Sequence, residues 1–72
     1  MSTIGERLKQ LRKEKKIMQK DLAVFLEIPL RTLQSYEYNE VEPSITTITK
    51  LADYFDTSLD FITGRSDDPT RH

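Results

Sequence analysis

Pro29 stands inside an apolar pattern that would otherwise read as one long helix: Leu22, Ala23 and Leu26 lie before it, Leu33 and Tyr36 after it. Proline cannot occupy a helix interior, because it lacks the amide hydrogen and its ring meets the preceding turn. It suits a first helical turn, however, and drives the residue before it into an extended conformation. The chain must therefore break at Glu27 and Ile28 and restart. Residues 19–26 read as one short helix and residues 29–38 as another, the second ended by Asn39, whose short polar side chain tolerates the left-handed conformation.

The same reading extends to both sides. Thr3 followed by Glu6 is a capping box, and Ile4, Leu8 and Leu11 recur at helical spacing, so a first helix is predicted from Ile4 to about Lys16. Pro43 and Ser44 open a fourth helix with Ser44 as N-cap, and Ile45, Ile48, Leu51, Ala52 and Phe55 form a stripe expected to be core. The β-branched run at residues 45–49 favours a strand by propensity, but its apolar members lie three apart rather than two, and period outweighs propensity. Thr57 with Asp60 reads as an acidic capping box before a last helix that carries Leu59, Phe61 and Ile62 and stops at Gly64. The expected fold is all-α, a compact five-helix domain over residues 1–65, followed by a short polar tail at residues 66–72 that is expected to fray.

Seventy-two residues suffice for one small core. There is no cysteine for a disulfide or a thiolate metal site and a single histidine, His72, so neither metal nor cofactor is expected. The apolar runs fall far short of the roughly 18 residues a membrane span needs and the amino end lacks a signal-peptide pattern, which together imply a cytoplasmic protein without a membrane partner. Asp53, Asp56 and Asp60 match no calcium loop, and no nucleophile with a base or phosphate-cradling glycine loop is present, so the chain is not expected to be an enzyme. The formal net charge of −1 hides an asymmetry: residues 1–36 carry eight Lys and Arg against four acids, and residues 37–72 carry three against eight. A basic half can face a polyanion while an acidic half faces solvent or a basic protein partner.

Function is concentrated in residues 19–36. Two short helices that cross steeply need a small residue where they approach and apolar residues around it at fixed intervals. Counted from Gln19 as first, Ala23 is fifth, with Leu22, Leu26, Ile28, Leu33 and Tyr36 at fourth, eighth, tenth, fifteenth and eighteenth. With this segment, and with Ile4, Gly5, Glu6, Arg7 and Leu8, Leu11 and Arg12, Lys20 and Asp21, Thr32, Glu37, Glu42, Pro43 and Ser44, Leu51 and Ala52, and Ser58 through Asp60 to Gly64 and Arg65, the chain resembles the phage Cro and repressor type (XRE-like) helix-turn-helix family. The ending resembles the amino-terminal domains of phage repressors from Gram-positive bacteria. The resemblance implies a lambda-repressor-like fold with the helix-turn-helix in helices 2 and 3. It also implies a sequence-specific regulator of transcription, of the repressor kind, that is nucleoid-associated when bound to double-stranded DNA. Three departures stand out. Glu27 replaces the usual turn glycine, Met18 replaces a Ser or Thr cap, and Glu40, Val41 and Glu42 replace a commonly basic loop.

Helix 3 is then the reader in the major groove and helix 2 its brace. Leu30, Arg31, Gln34 and Ser35 are the base-reading candidates: Arg31 offers a fork for guanine, Gln34 can pair with adenine, and Leu30 either meets a thymine methyl or packs in the core. Gln19 at the amino end of helix 2, with Lys20, Thr32, Tyr38 and Asn39, are candidate phosphate contacts, while Lys13, Lys15, Lys16 and Lys20 supply long-range attraction. The resemblance also implies a structural ion pair between Arg12 and Glu37. One small module makes few base contacts, so a homodimer on a two-fold operator is expected. Its candidate surface is Tyr54, Leu59, Phe61 and Ile62, residues that could equally close the core. Alternatives on the same fold are a protein-interaction module that uses the acidic half, an antitoxin, and a controller of a restriction-modification system.

Overall fold

The computed structural model describes residues 3–71. Five helices follow one another: α1 (Ile4–Glu14), α2 (Gln19–Leu26), α3 (Leu30–Glu37), α4 (Ile45–Tyr54) and α5 (Leu59–Ile62), with no strand among the described residues. Helix α2 packs on α3, α1 packs on α3 and α5, and α4 packs on α5. Leu8, Leu22, Leu33, Leu51 and Ile62 lie fully buried at the centre, one from each helix, and Leu11, Ala23, Leu26, Tyr36, Ile48, Ala52, Phe55 and Phe61 surround them.

Each helix start follows from local chemistry. Thr3 Oγ1 accepts from Glu6 N at 3.1 Å and Glu6 Oε1 accepts from Thr3 N at 3.2 Å, which closes the capping box. These bonds hold the Glu6 carboxyl below its usual value, so the cap is intact above about pH 4.5 and opens as acid carries the pH down through the lowered value. Met18 caps α2 with no side-chain hydrogen bond, and Pro29 occupies the N-cap of α3 rather than its first turn. Ser44 caps α4 through Thr47 N. The cap of α5 is Ser58, bonded to Phe61 N at 3.0 Å, and not Thr57. Thr57 is buried and donates its hydroxyl to the Pro69 carbonyl at 3.1 Å.

All five helices end in the same way. Lys16, Glu27, Asn39, Asp56 and Gly64 have φ between 50° and 82°, and the next amide in each case reaches back to a carbonyl five residues earlier: Ile17 to Arg12, Ile28 to Ala23, Glu40 to Ser35, Thr57 to Ala52 and Arg65 to Asp60. This is the Schellman closure, which glycine makes without steric cost and side-chain-bearing residues make at about 1 kcal/mol. Helix α1 accordingly stops at Glu14, two residues short of the sequence reading.

A buried ion pair ties α1 to the end of α3. Arg12 Nε donates to Glu37 Oε2 at 2.6 Å and Nη2 to Oε1 at 3.1 Å, while Nη1 donates to the Ile17 carbonyl at 2.9 Å. The Glu37 side chain is 1 % exposed and that of Arg12 12 %. Beside it the two helices almost touch at Gly5. A methyl group there would fall within 3.0 Å of the Tyr36 and Glu37 carbonyl oxygens, and the Gly5 amide donates to Asn39 Oδ1 at 3.2 Å.

Three expectations change. Ile45 is 70 % exposed, because the first residue of α4 projects past the core that Ile48 and Leu51 fill. Residues 66–71 lie packed against the domain and not as a free end. The Pro69 carbonyl accepts from Ser58 N and Thr57 Oγ1, Arg71 bonds Asp53 at 2.8 Å, and Asp67 pairs at 2.5 Å with Arg7, whose guanidinium lies under the Phe61 ring. His72 lies outside the described residues. Finally, Phe61 and Ile62, expected on a dimer surface, are 5 % and 0 % exposed. A core this small needs every large apolar side chain of α5 that can reach it.

Two outcomes follow from these contacts. Arg12→Ala leaves the Glu37 carboxylate buried without its cation and should cost about 3 kcal/mol. That is a fall in melting temperature of roughly 10–20 °C for a domain of this size, which replacing both partners by leucine should largely restore. Gly5→Ala, which forces α1 away from α3, should lower the midpoint of urea unfolding by an amount equivalent to about 1–3 kcal/mol.

Candidate nucleic-acid interface

Helix α3 has one face committed to the interior and one facing out. Leu33, Tyr36 and Glu37 are buried. Leu30, Arg31, Gln34, Ser35 and Tyr38 stand at i, i+1, i+4, i+5 and i+8, which at 3.6 residues per turn is one stripe. Leu30, Arg31 and Tyr38 are exposed, Gln34 and Ser35 half-buried. Exposure of Leu30 places it on the outer stripe and not among the core residues. Arg31 has no ion-pair partner among the described residues, so its five donors remain available to an outside acceptor.

Helix α2 supports α3 at the angle set by the Glu27 turn, with φ 59° at a residue that is not glycine. Ala23, 2 % exposed, sits at the small-residue position of the crossing. The first residue of α2, Gln19, is half-buried and does more than lie at the helix end. Its Nε2 donates to Glu37 Oε1 at 3.0 Å and its Oε1 accepts from Gln34 Nε2 at 3.4 Å. The sequence reading treated Gln19 as a phosphate contact and Gln34 as a base contact, without linking them. The i, i+3 spacing of Gln34 and Glu37 groups them on one face of α3 but carries no signal that Gln19 bridges them.

The other candidates divide between free and occupied groups. Lys20 is exposed beside Gln19 at the amino end of α2, where unpaired backbone donors favour an anion, and Lys13, Lys15 and Lys16 are exposed at the end of α1. Thr32 is half-buried. Tyr38 is exposed, with Lys9 Nζ 6.0 Å from its ring centre. Asn39 spends its carbonyl on the Gly5 amide, so this candidate phosphate contact is also a structural bridge to α1. Glu40, Val41 and Glu42 are exposed in the loop after α3. Tyr54, the last residue of α4, and Leu59, the first of α5, are exposed, and the Tyr54 ring lies 4.4 Å from that of Phe25 on α2. Among the described residues no group of His, Cys, Asp and Glu is arranged to hold a metal ion, and no helix is long and apolar enough to cross a membrane.

Comparison with known proteins bears on this geometry. A family model described as helix-turn-helix matches residues 8–62. The chain is 40 % identical over 58 residues to an SPbeta prophage-derived uncharacterized HTH-type transcriptional regulator, YonR, of Bacillus subtilis, covering 81 % of this chain and 54 % of that protein. It is 31 % identical over 65 residues to the HTH-type transcriptional regulator ImmR of the same organism, covering 90 % of this chain and 51 % of the relative. The chain thus spans about half the length of the curated relatives it matches. Among solved structures it superposes with a TM-score of 0.82 on the P22 c2 repressor, a structure determined with a synthetic operator. That match has 24 % identity and covers 92 % of this chain and all of the other.

Proposed function

Because the chain belongs to the helix-turn-helix family, we propose that it is the DNA-binding domain of a transcriptional regulator that represses by occupying an operator, inserting α3 into the major groove. The outer stripe of α3 carries this reading: a free guanidinium, a carboxamide and an apolar contact group on one rigid helix whose other side is locked into the core. Arg31 pairs with a guanine edge, Gln34 with adenine, and Leu30 and Ser35 contact neighbouring bases. Gln19, Lys20, Thr32, Tyr38 and the free amide of Asn39 meet phosphates, and Lys13, Lys15 and Lys16 draw the duplex in from a distance.

The protein acts in the cytoplasm as a homodimer, since two copies on one face of a duplex double the base contacts of a small module. Leu59, 43 % exposed, and Tyr54 are the members of the expected surface that remain outside the core. The exposed acids of residues 40–42 and the charge of the carboxy-terminal half support a second reading, a module that binds a basic protein.

Titration against a pool of random duplexes decides between the two: binding should weaken steeply as salt rises, and salt-insensitive or absent binding moves the assignment to a protein partner. Within the DNA reading, Arg31→Ala should cost about 1–3 kcal/mol and relax the preference at one base pair. An equal loss on specific and mixed DNA would make Arg31 a phosphate contact. Leu59→Glu should reduce cooperative operator binding and dimer mass in sedimentation while changing the melting temperature little, because Leu59 is not part of the buried core cluster.

A further inference from the structure

The outer stripe of α3 is connected to the interior by consecutive hydrogen bonds: Arg12 donates to Glu37, Gln19 donates to Glu37, and Gln34 donates to Gln19. From this arrangement we infer that the buried carboxylate of Glu37 acts through Gln19 to set which way the amide of Gln34 faces, and so makes Gln34 a reader of adenine in preference to guanine. The inference rests on the DNA-binding reading above and adds positioning residues to it.

The argument depends on what each group can give or accept. An ionised carboxylate only accepts. Glu37 Oε2 accepts from Arg12 Nε at 2.6 Å, and Oε1 accepts from Arg12 Nη2 at 3.1 Å and from Gln19 Nε2 at 3.0 Å. With 1 % of the side chain exposed, no water replaces a lost donor. Turning the Gln19 amide over would set its carbonyl oxygen against a buried carboxylate oxygen, acceptor on acceptor. Gln19 must therefore present Nε2 inward and Oε1 outward. That oxygen accepts one hydrogen of Gln34 Nε2, which fixes Gln34 in turn. Its second Nε2 hydrogen and its Oε1 are left side by side for a partner outside the protein.

A donor beside an acceptor matches adenine in the major groove, where N7 accepts and the N6 amino group donates. Guanine offers two acceptors, N7 and O6, and the fixed Oε1 would face one of them unpaired. A glutamine free to rotate could turn its amino group toward both guanine acceptors. Held by Gln19, Gln34 cannot do so without breaking the bonds behind it. Neither Gln19 nor Glu37 needs to touch a base for this selection to operate.

The test uses the variants Gln19→Met, which keeps the side-chain length and removes both hydrogen bonds, and Gln19→Glu, which keeps an acceptor toward Gln34 but sets a second carboxylate against Glu37. Sequences bound from a random duplex pool are compared for these, for Gln34→Ala and for the wild type. Gln34→Ala identifies the base pair that Gln34 reads. At that pair Gln19→Met should lose about tenfold in preference for adenine over guanine, the scale of one good base contact, with preferences elsewhere retained. Gln19→Glu should melt at lower temperature yet keep the adenine preference. A role in folding alone cannot produce that opposite ordering of stability and base preference. Gln19→Met also removes the phosphate contact proposed above, so it should lose some affinity on all sequences alike; an adenine preference unchanged at that pair, whatever the uniform loss, overturns the inference.

In the free protein, the side-chain amide of Gln19 should exchange hydrogen more slowly than that of exposed Gln10. Equal rates overturn the inference without bearing on whether the protein binds DNA. A wild type that binds no duplex overturns the underlying reading, and the two failures are thereby told apart.

Discussion

A single buried carboxylate organises the amino-terminal half of this molecule. Glu37 is buried at the last turn of α3, and the groups that satisfy it come from different parts of the chain: the Arg12 cation from α1 and the Gln19 amide donor from the start of α2. Burying an ion of this kind is tolerable only when its lone pairs are filled, so the position of α3 relative to α1 and α2 is specified by charge as well as by the apolar contacts of Leu8, Leu22 and Leu33. Arg12 extends the constraint, since its remaining nitrogen holds the Ile17 carbonyl in the turn that leads into α2. The helix that faces outward is thus oriented from behind. That suits a surface whose function depends on presenting side chains at fixed angles.

The features legible in the sequence were those set by local rules. Pro29 forces a break wherever the rest of the chain lies, and the intervals around Ala23 are dictated by two helices crossing. Asn39 was readable as a left-handed end from its short polar side chain, whereas Glu27 was marked only by the resemblance, as standing where glycine is usual. What was not legible depended on partners distant in sequence. Thr57 and Ser58 both carry a hydroxyl fit to cap α5. Which one does so is decided by the Pro69 carbonyl, which takes the Thr57 hydroxyl and leaves Ser58 to the helix. Phe61 and Ile62 are apolar whether they face a core or a partner, and only the packing of α1 and α4 around them distinguishes the two. At the reading surface, the pattern named Gln19 and Gln34 one by one. Their connection required knowing that a buried anion lies behind Gln19.

The carboxy-terminal half is built differently. Arg7 is buried beneath Phe61, with Nε unpartnered, and meets its carboxylate only through Asp67, itself 98 % exposed. Arg71 similarly reaches Asp53 and Asp56 across the surface. These pairs are wet on at least one side and contribute little individually. They nonetheless draw residues 66–71 against α4 and α5 and offset several of the acids in the negative half. Arg12 is neutralised by Glu37, but Lys13, Lys15, Lys16, Lys20 and Arg31 near α2 and α3 form no ion pair among the described residues, so unpaired positive charge is concentrated on that side of the molecule.

The helix ends have a consequence for persistence in a cell. Lys16, Glu27 and Asp56 hold a left-handed backbone that glycine would adopt without steric strain. At about 1 kcal/mol each, the three together forgo roughly 3 kcal/mol, a factor of around a hundred in the ratio of folded to unfolded chains. A protease that digests only opened chains meets this protein that much more often than it would meet the same fold with glycine at those ends. The abundance of such a chain therefore responds sharply to whatever binds and protects its folded form. Under the proposed function, bound DNA would prolong the lifetime of the folded chain as well as fix its location.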